Sequence, residues 1–179
     1  PFDNSSLKRL IELKPDAIKI ASCDLNNHLL IKECSRYCLP MIVSTGMSSE
    51  TEIISTNKLL EDLNIDKCFL HCNSTYPSPL EDVNLKYIDR MKNITKSIIG
   101  FSSHIGDSII PISAAAIGAK IIELHVTSDK EAKGTDHSSS LLINDLDSFV
   151  KNIKKVSLAL GNQNPRIPSQ GELLNKIAF

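Results

Sequence analysis

His104 closes the run Gly100-Phe101-Ser102-Ser103-His104, and His125 lies near the end of a similar apolar run, 121–126. Side chains alternate along an extended strand, so Gly100, Ser102 and His104 share one face, and Ile121, Glu123 and His125 share one face of the next strand. Two neutral imidazoles converging from neighbouring strand ends, with the rest of the shell open, suit a divalent metal such as Mn2+, Fe2+ or Zn2+. For either one alone, an ordinary satisfied core or loop histidine is the plainer reading. Lys19 lies within an otherwise apolar run, and a buried ammonium needs either an internal carboxylate or a ligand anion. Ser44, Ser74 and Ser102 bring hydroxyl donors towards the same opening, and Gly46 and Gly106 let backbone N–H groups approach. Lysine with several hydroxyls suits a phosphate or a carboxylate better than an apolar ligand. Asp24 and Asp136 are candidate acid/base or hydroxyl-binding groups, although Gly134 also accounts for the Asp136 loop as a plain turn. His71 has the opposite phase from Cys72 and Ser74 and reads as a packing residue or one that supports the site from behind.

All of these residues sit at or just beyond the carboxyl ends of five short apolar runs, at 17–21, 41–45, 68–72, 97–101 and 121–126. Runs of four to six residues, hydrophobic nearly throughout, are how strands buried on both faces of a parallel sheet read. Amphipathic segments lie between them. Asn4 or Ser5 is expected to cap a helix carrying Leu7, Leu10 and Ile11, which Pro15 stops. Residues 26–38 place Leu30, Cys34 and Tyr37 on one face. Ser49 and Glu52 have capping-box spacing, predicting a helix to about residue 63. A looser helix covers about 84–92, and another opens near Asp107-Ser108 and uses Ile109, Ile112 and Ile117. The clearest is 143–160, where Leu146, Phe149, Val150, Ile153, Val156 and Leu160 follow the helical period before Gly161. Residues 162–170, with two prolines, read as a linker. Regular βα alternation implies right-handed crossovers and a parallel sheet: an open doubly wound sheet or five-eighths of a (β/α)8 barrel. No GxGxxG or GxxxxGK[ST] motif is present, which counts against a nucleotide-binding sheet. In either architecture function gathers at the carboxyl ends of the strands.

Composition narrows the function classes. The 179 residues carry 20 Lys+Arg against 21 Asp+Glu, for a net charge of −1, and no basic run exceeds two residues. A nucleic-acid footprint would need clustered Lys and Arg. No apolar run approaches the roughly 18–20 residues that cross a bilayer. With 41% hydrophobic residues in periodic order, the chain is a globular domain and not a disordered one. Cys23, Cys34, Cys38, Cys68 and Cys72 form an odd set without a CxxC pair and read as reduced thiols of a cytoplasmic protein. A chain opening on Pro1-Phe2-Asp3 is expected to be a piece of a longer one.

At these strand ends the chain resembles the sialic acid synthase family, enzymes that condense phosphoenolpyruvate with an N-acetylated hexosamine to make nonulosonic acids. The matching segments are Lys19-Ile20-Ala21-Ser22, Ser44-Thr45-Gly46-Met47, Leu70-His71-Cys72 with Tyr76-Pro77, and Glu81-Asp82-Val83-Asn84-Leu85. They continue in Gly100-Phe101-Ser102-Ser103-His104, Glu123-Leu124-His125 and Gly134-Thr135-Asp136-His137. The resemblance covers about residues 1–175. It implies a (β/α)8 TIM barrel, of which this chain holds the last five βα units, strands 4–8. Residues 1–161 then form the partial catalytic barrel, and 162–179 lead towards a C-terminal antifreeze-like domain. It implies a divalent metal, Mn2+ above others, on His104 and His125. It implies phosphoenolpyruvate contacts from Lys19, Ser22, Ser44, Ser74 and Ser102, amino-sugar contacts from Asp24, Tyr76 and Asp136, and catalytic roles for Lys19, Asp24 and Asp136. A homodimer is implied for the full-length protein. Ser103 stands where the family commonly has Asp, Ile105 where Thr is usual, and Thr135 where Pro is usual.

The expected substrates are phosphoenolpyruvate with N-acetylmannosamine or a diacetamido relative. The five-strand piece alone is expected to be inactive. An aldulosonate-phosphate synthase is the nearest rival, but its second phosphate should require arginines, and Arg9, Arg36, Arg90 and Arg166 all lie away from strand ends. A metal-dependent sugar isomerase would fit the histidine pair without releasing phosphate. A non-catalytic interaction module would not require the intact Lys19, His104 and His125.

Overall fold

The computed structural model describes residues 1–178. Its five-stranded parallel sheet runs β1 (Ile18–Ile20), β2 (Met41–Ser44), β3 (Lys67–Cys72), β4 (Ile98–Ser103) and β5 (Ile122–Leu124), in that spatial order. Helices α1 (Asn4–Glu12), α2 (His28–Ser35), α3 (Glu50–Asp62), α4 (Tyr87–Thr95) and α5 (Ile109–Ala116) alternate with the strands. This is a partial (β/α)8 barrel, a curled arc of parallel strands with its helices outside.

The two faces of the arc differ chemically. Ile18, Ile20, Val43, Phe69, Ile99 and Phe101 point outward into the main core with Leu30, Ile53, Leu60 and Met91 from the helices. The alternate residues, Lys19, Ser44, Cys72, Ser102 and Glu123, point to the concave side. Register places Cys72 beside Ser102 and Ser102 beside Glu123. Gly100 is required by close approach: a Cβ there would lie 2.5 Å from the Ile121 carbonyl oxygen and 2.4 Å from Leu70 Cδ2.

The Ser49–Glu52 capping box forms as its spacing predicts, each residue satisfying a backbone N–H of the other. Three expectations shift. Asp3, not Asn4 or Ser5, caps α1, accepting from the Ser6 N–H at 2.6 Å. The inward residues of α5 are Pro111 and Ala114, with Ile110 packed against the core, while Ile109 and Ile117 stand exposed: the helix is rotated so that the 110, 111 and 114 positions face the sheet. Tyr37, placed on the buried face of the second helix, lies beyond its end and is exposed. The fifth apolar run divides at His125: Val126–Thr127 (β6) leaves the sheet and pairs in parallel with Leu141–Leu142 (β7). A 3₁₀ turn at Ile143–Asp145 then leads into α6 (Leu146–Leu160). Residues 162–169 carry no helix or strand, and Gln170–Ala178 forms an exposed helix, α7, where the sequence reads as a linker. Among the described residues, no helix is long and apolar enough to cross a membrane.

Candidate active site

The carboxyl ends of the five strands surround a cavity of about 300 Å³. Lys19 reaches into it from the middle of β1. Its Nζ donates to Ser44 Oγ at 2.8 Å and to the Ile20 carbonyl at 3.1 Å, and lies 3.6 Å from Glu123 Oε2. Ser102 Oγ donates to the other Glu123 oxygen at 2.8 Å. Beside this group, Ser22 accepts from the Gly46 N–H at 3.1 Å and meets Cys72 Sγ at 3.3 Å. A Cβ on Gly46 would lie 2.0 Å from Ser74 Oγ and 3.0 Å from Ser22 Oγ, so glycine keeps room among the hydroxyls.

The opposite wall is aromatic. The His104 and His125 rings lie 5.3 Å apart, nearly perpendicular at 83°, and the Tyr76 ring lies 4.2 Å from His104 and 5.8 Å from His125. His104 Nδ1–H donates to the Asn73 carbonyl at 2.6 Å, which fixes the tautomer and leaves Nε2 with its lone pair available. Burial holds His104 below the usual imidazole pKa, outweighing the hydrogen bond to Asn73, which favours the charged form. A neutral, oriented imidazole is what a metal ligand must be. Among the described residues no group of three or more His, Cys, Asp or Glu side chains is placed to hold a metal ion. The two imidazoles supply two donors, so a divalent cation held there would have to draw the rest of its shell from water or substrate.

Eight residues singled out in the sequence line this one cavity: Lys19, Ser22, Ser44, Ser74, Tyr76, Ser102, His104 and His125. The two aspartates are placed differently. Asp24 sits in a 3₁₀ turn, is buried at 9% exposure, and accepts from the Asn27 amide at 3.0 Å, so it supports the start of α2 and is not part of the wall. Asp136 is outside the wall too, in the loop beyond β6, with Oδ2 3.6 Å from His125 Nδ1. That loop is tied to the strand-four loop by Lys130, whose Nζ donates to the Gly106 carbonyl at 2.6 Å. His71 packs as expected on the outer side: it donates to the Val83 carbonyl at 2.8 Å and lies against Tyr87 and Phe101. Sequence reasoning passed over Glu123. The signal was present, a carboxylate in phase with His125 inside an apolar strand, the same anomaly that singled out Lys19. Ser103 faces outward, 2% exposed, and its Oγ is buried without a hydrogen-bond partner among the described residues.

Comparison with known proteins agrees in fold and in extent. The model of the NeuB family matches residues 1–165. Over 167 residues the chain is 36% identical to N-acetylneuraminate-9-phosphate synthase of Homo sapiens, covering 93% of this chain and 46% of that protein. It is 34% identical over 163 residues to pseudaminic acid synthase of Campylobacter jejuni, covering 90% and 48%. Among solved structures, the N-acetylneuraminic acid synthetase of Leptospira borgpetersenii in complex with citrate superposes with a TM-score of 0.91 at 32% identity. That match covers 99% of this chain and 62% of that one. The chain thus spans about half the length of the curated relatives it matches.

Proposed function

Because the chain belongs to the NeuB family, we propose that the protein carrying it condenses phosphoenolpyruvate with an N-acetylated hexosamine, N-acetylmannosamine or a diacetamido relative, giving a nonulosonic acid and phosphate. The observation that carries this reading is the division of one cavity into two halves. Lys19, Ser22, Ser44, Ser74 and Ser102 line the side suited to an anion, and His104 and His125 line the side suited to a metal. The reaction forms a bond between C3 of phosphoenolpyruvate and the aldehyde carbon of the open-chain sugar. Water adds at C2, and the C2–O bond breaks as phosphate leaves.

In this proposal the Lys19 ammonium and the serine hydroxyls hold the phosphate and carboxylate of phosphoenolpyruvate, setting C3 towards the imidazole wall. Tyr76, packed at a tilt against His104, forms the aromatic side against which the sugar lies. Asp136, beside His125, is placed to hold a sugar hydroxyl or take a proton from it. Asp24 acts from behind the wall through its neighbours Cys23 and Asn27. His104 and His125 would hold a divalent metal, Mn2+ for preference, whose chemistry when bound is Lewis-acid polarisation of the aldehyde oxygen. A homodimer in the cytoplasm completes the reading.

The test is phosphate release from phosphoenolpyruvate by the full-length gene product with Mn2+, offering N-acetylmannosamine and the diacetamido sugars in turn. Release with one sugar, lost in His104→Ala, is the expected result. A folded, metal-loaded protein that releases no phosphate with any of them overturns the proposal.

A further inference from the structure

Both strongest donors of the anion half are engaged by one side chain. Ser102 donates to Glu123 Oε1, and the Lys19 ammonium faces Glu123 Oε2. The remaining contacts of Lys19 are neutral oxygens, from Ser44 and Ile20, so Glu123 balances its charge. The register makes this arrangement inexpensive, because Ser102 and Glu123 are direct partners across β4 and β5. The carboxylate is not locked in place. Its side chain is 39% exposed, that of Lys19 is 35% exposed, and both line the cavity.

A carboxylate held by one ammonium and one hydroxyl, on the open side of a cavity, stands where a ligand anion would stand. We propose that Glu123 is an internal substitute for the substrate anion: it keeps Lys19 and Ser102 oriented and neutralised in the empty site, and an incoming anion displaces it. This rests on the phosphoenolpyruvate reading above. Two negative groups cannot share one ammonium without repulsion, so Glu123 sets a cost on anion entry while holding the donors in place. Loss of its charge, with the hydrogen-bond acceptor retained, should therefore tighten anion binding. A residue that only supported Lys19 would act in the opposite direction.

The experiment is calorimetric titration of phosphoenolpyruvate into the full-length gene product with divalent metal chelated, so that only the lysine side of the cavity is read. Glu123→Gln keeps an acceptor for Ser102 and removes the charge, and roughly tenfold tighter binding than wild type is expected, as for one partly screened like-charge contact. Glu123→Asp, which draws the charge back by one methylene, should fall between wild type and Gln; it also serves if the Gln variant folds poorly. Folded E123Q and E123D that bind no tighter than wild type overturn this inference and leave the phosphoenolpyruvate reading standing. Folded wild-type protein that binds no phosphoenolpyruvate overturns both.

Discussion

Lys19 and Glu123 belong to the two opposite edge strands of a five-stranded sheet, and their charged ends lie 3.6 Å apart. In a flat sheet the outer strands of five stand about 19 Å apart, four spacings of roughly 4.8 Å. Two side chains cannot close that gap, so the contact itself measures the curl of the arc. It also fixes what the lysine is for. An ammonium set into the concave wall of the arc needs a negative partner, and the only question is whether the partner is internal or bound.

Lys19→Met should raise the KM for phosphoenolpyruvate by about 10- to 100-fold, the range for losing one charged hydrogen-bonding partner. The fold should survive, since Met matches the length of the stem and Glu123 can turn to solvent from its half-exposed position. Steady-state phosphate release and the melting midpoint, measured together, check both statements.

Gly46→Ala places a methyl group 2.0 Å from Ser74 Oγ, closer than real Cβ contacts come. Ser74 must swing away or the strand end must shift, at about 1–3 kcal/mol for overpacking. Phosphoenolpyruvate affinity should fall by roughly two- to tenfold, the range for losing one hydrogen bond of about 0.5–1.5 kcal/mol from the displaced Ser74 hydroxyl. Titration of the variant against wild type reads it directly.

The strands were legible from sequence because a sheet buried on both faces is apolar throughout, and the phase of His104 and His125 follows from alternation alone. Ser22, Ser44, Ser74 and Ser102 reach one cavity because parallel register carries strand ends to one rim. The partner of Lys19 was not legible, because the curl that joins the first strand to the fifth is a property of the whole sheet. Nor was the division of the fifth run at His125, which depends on β7 pairing back from beyond a loop of more than a dozen residues. Helix α7 escaped notice because the prolines before it dominate the local pattern.

Thiol chemistry should divide the cysteines. Cys23 and Cys38 are exposed, while Cys34, Cys68 and Cys72 are buried, and burial pushes the Cys68 thiol up to about 11. Since the thiolate is the reactive form, two thiols should react rapidly with a chromogenic disulfide in the native protein and the others only on unfolding. Cys23 lines the cavity, so phosphoenolpyruvate should slow its labelling and leave Cys38 unaffected.

Stability should fall on acidification through His71. Burial lowers its pKa, outweighing the hydrogen bond to the Val83 carbonyl. The unfolded chain takes up this proton near pH 6.5, while the folded chain does so only at lower pH. The contribution is therefore fully present above pH 6.5 and is lost as pH drops through the folded value. Urea unfolding at pH 7.5 and pH 5, compared with His71→Asn, should show a smaller pH dependence in the variant.

Ser103→Ala should be neutral or stabilise by about 1 kcal/mol, because it removes a buried hydroxyl that makes no hydrogen bond among the described residues and leaves a small apolar group. A drop of more than that amount in denaturant unfolding would mean the hydroxyl has a partner.

The strands lie in space in the order in which they occur in the chain. Within this five-stranded sheet each new βα unit therefore meets, during synthesis, an edge that has already emerged. The cavity behaves differently. Lys19 leaves the ribosome about a hundred residues before Glu123, so its ammonium remains without this counter-charge until β5 docks. On the nascent chain the scaffold grows stepwise, while the charge balance of the site is completed in one late step.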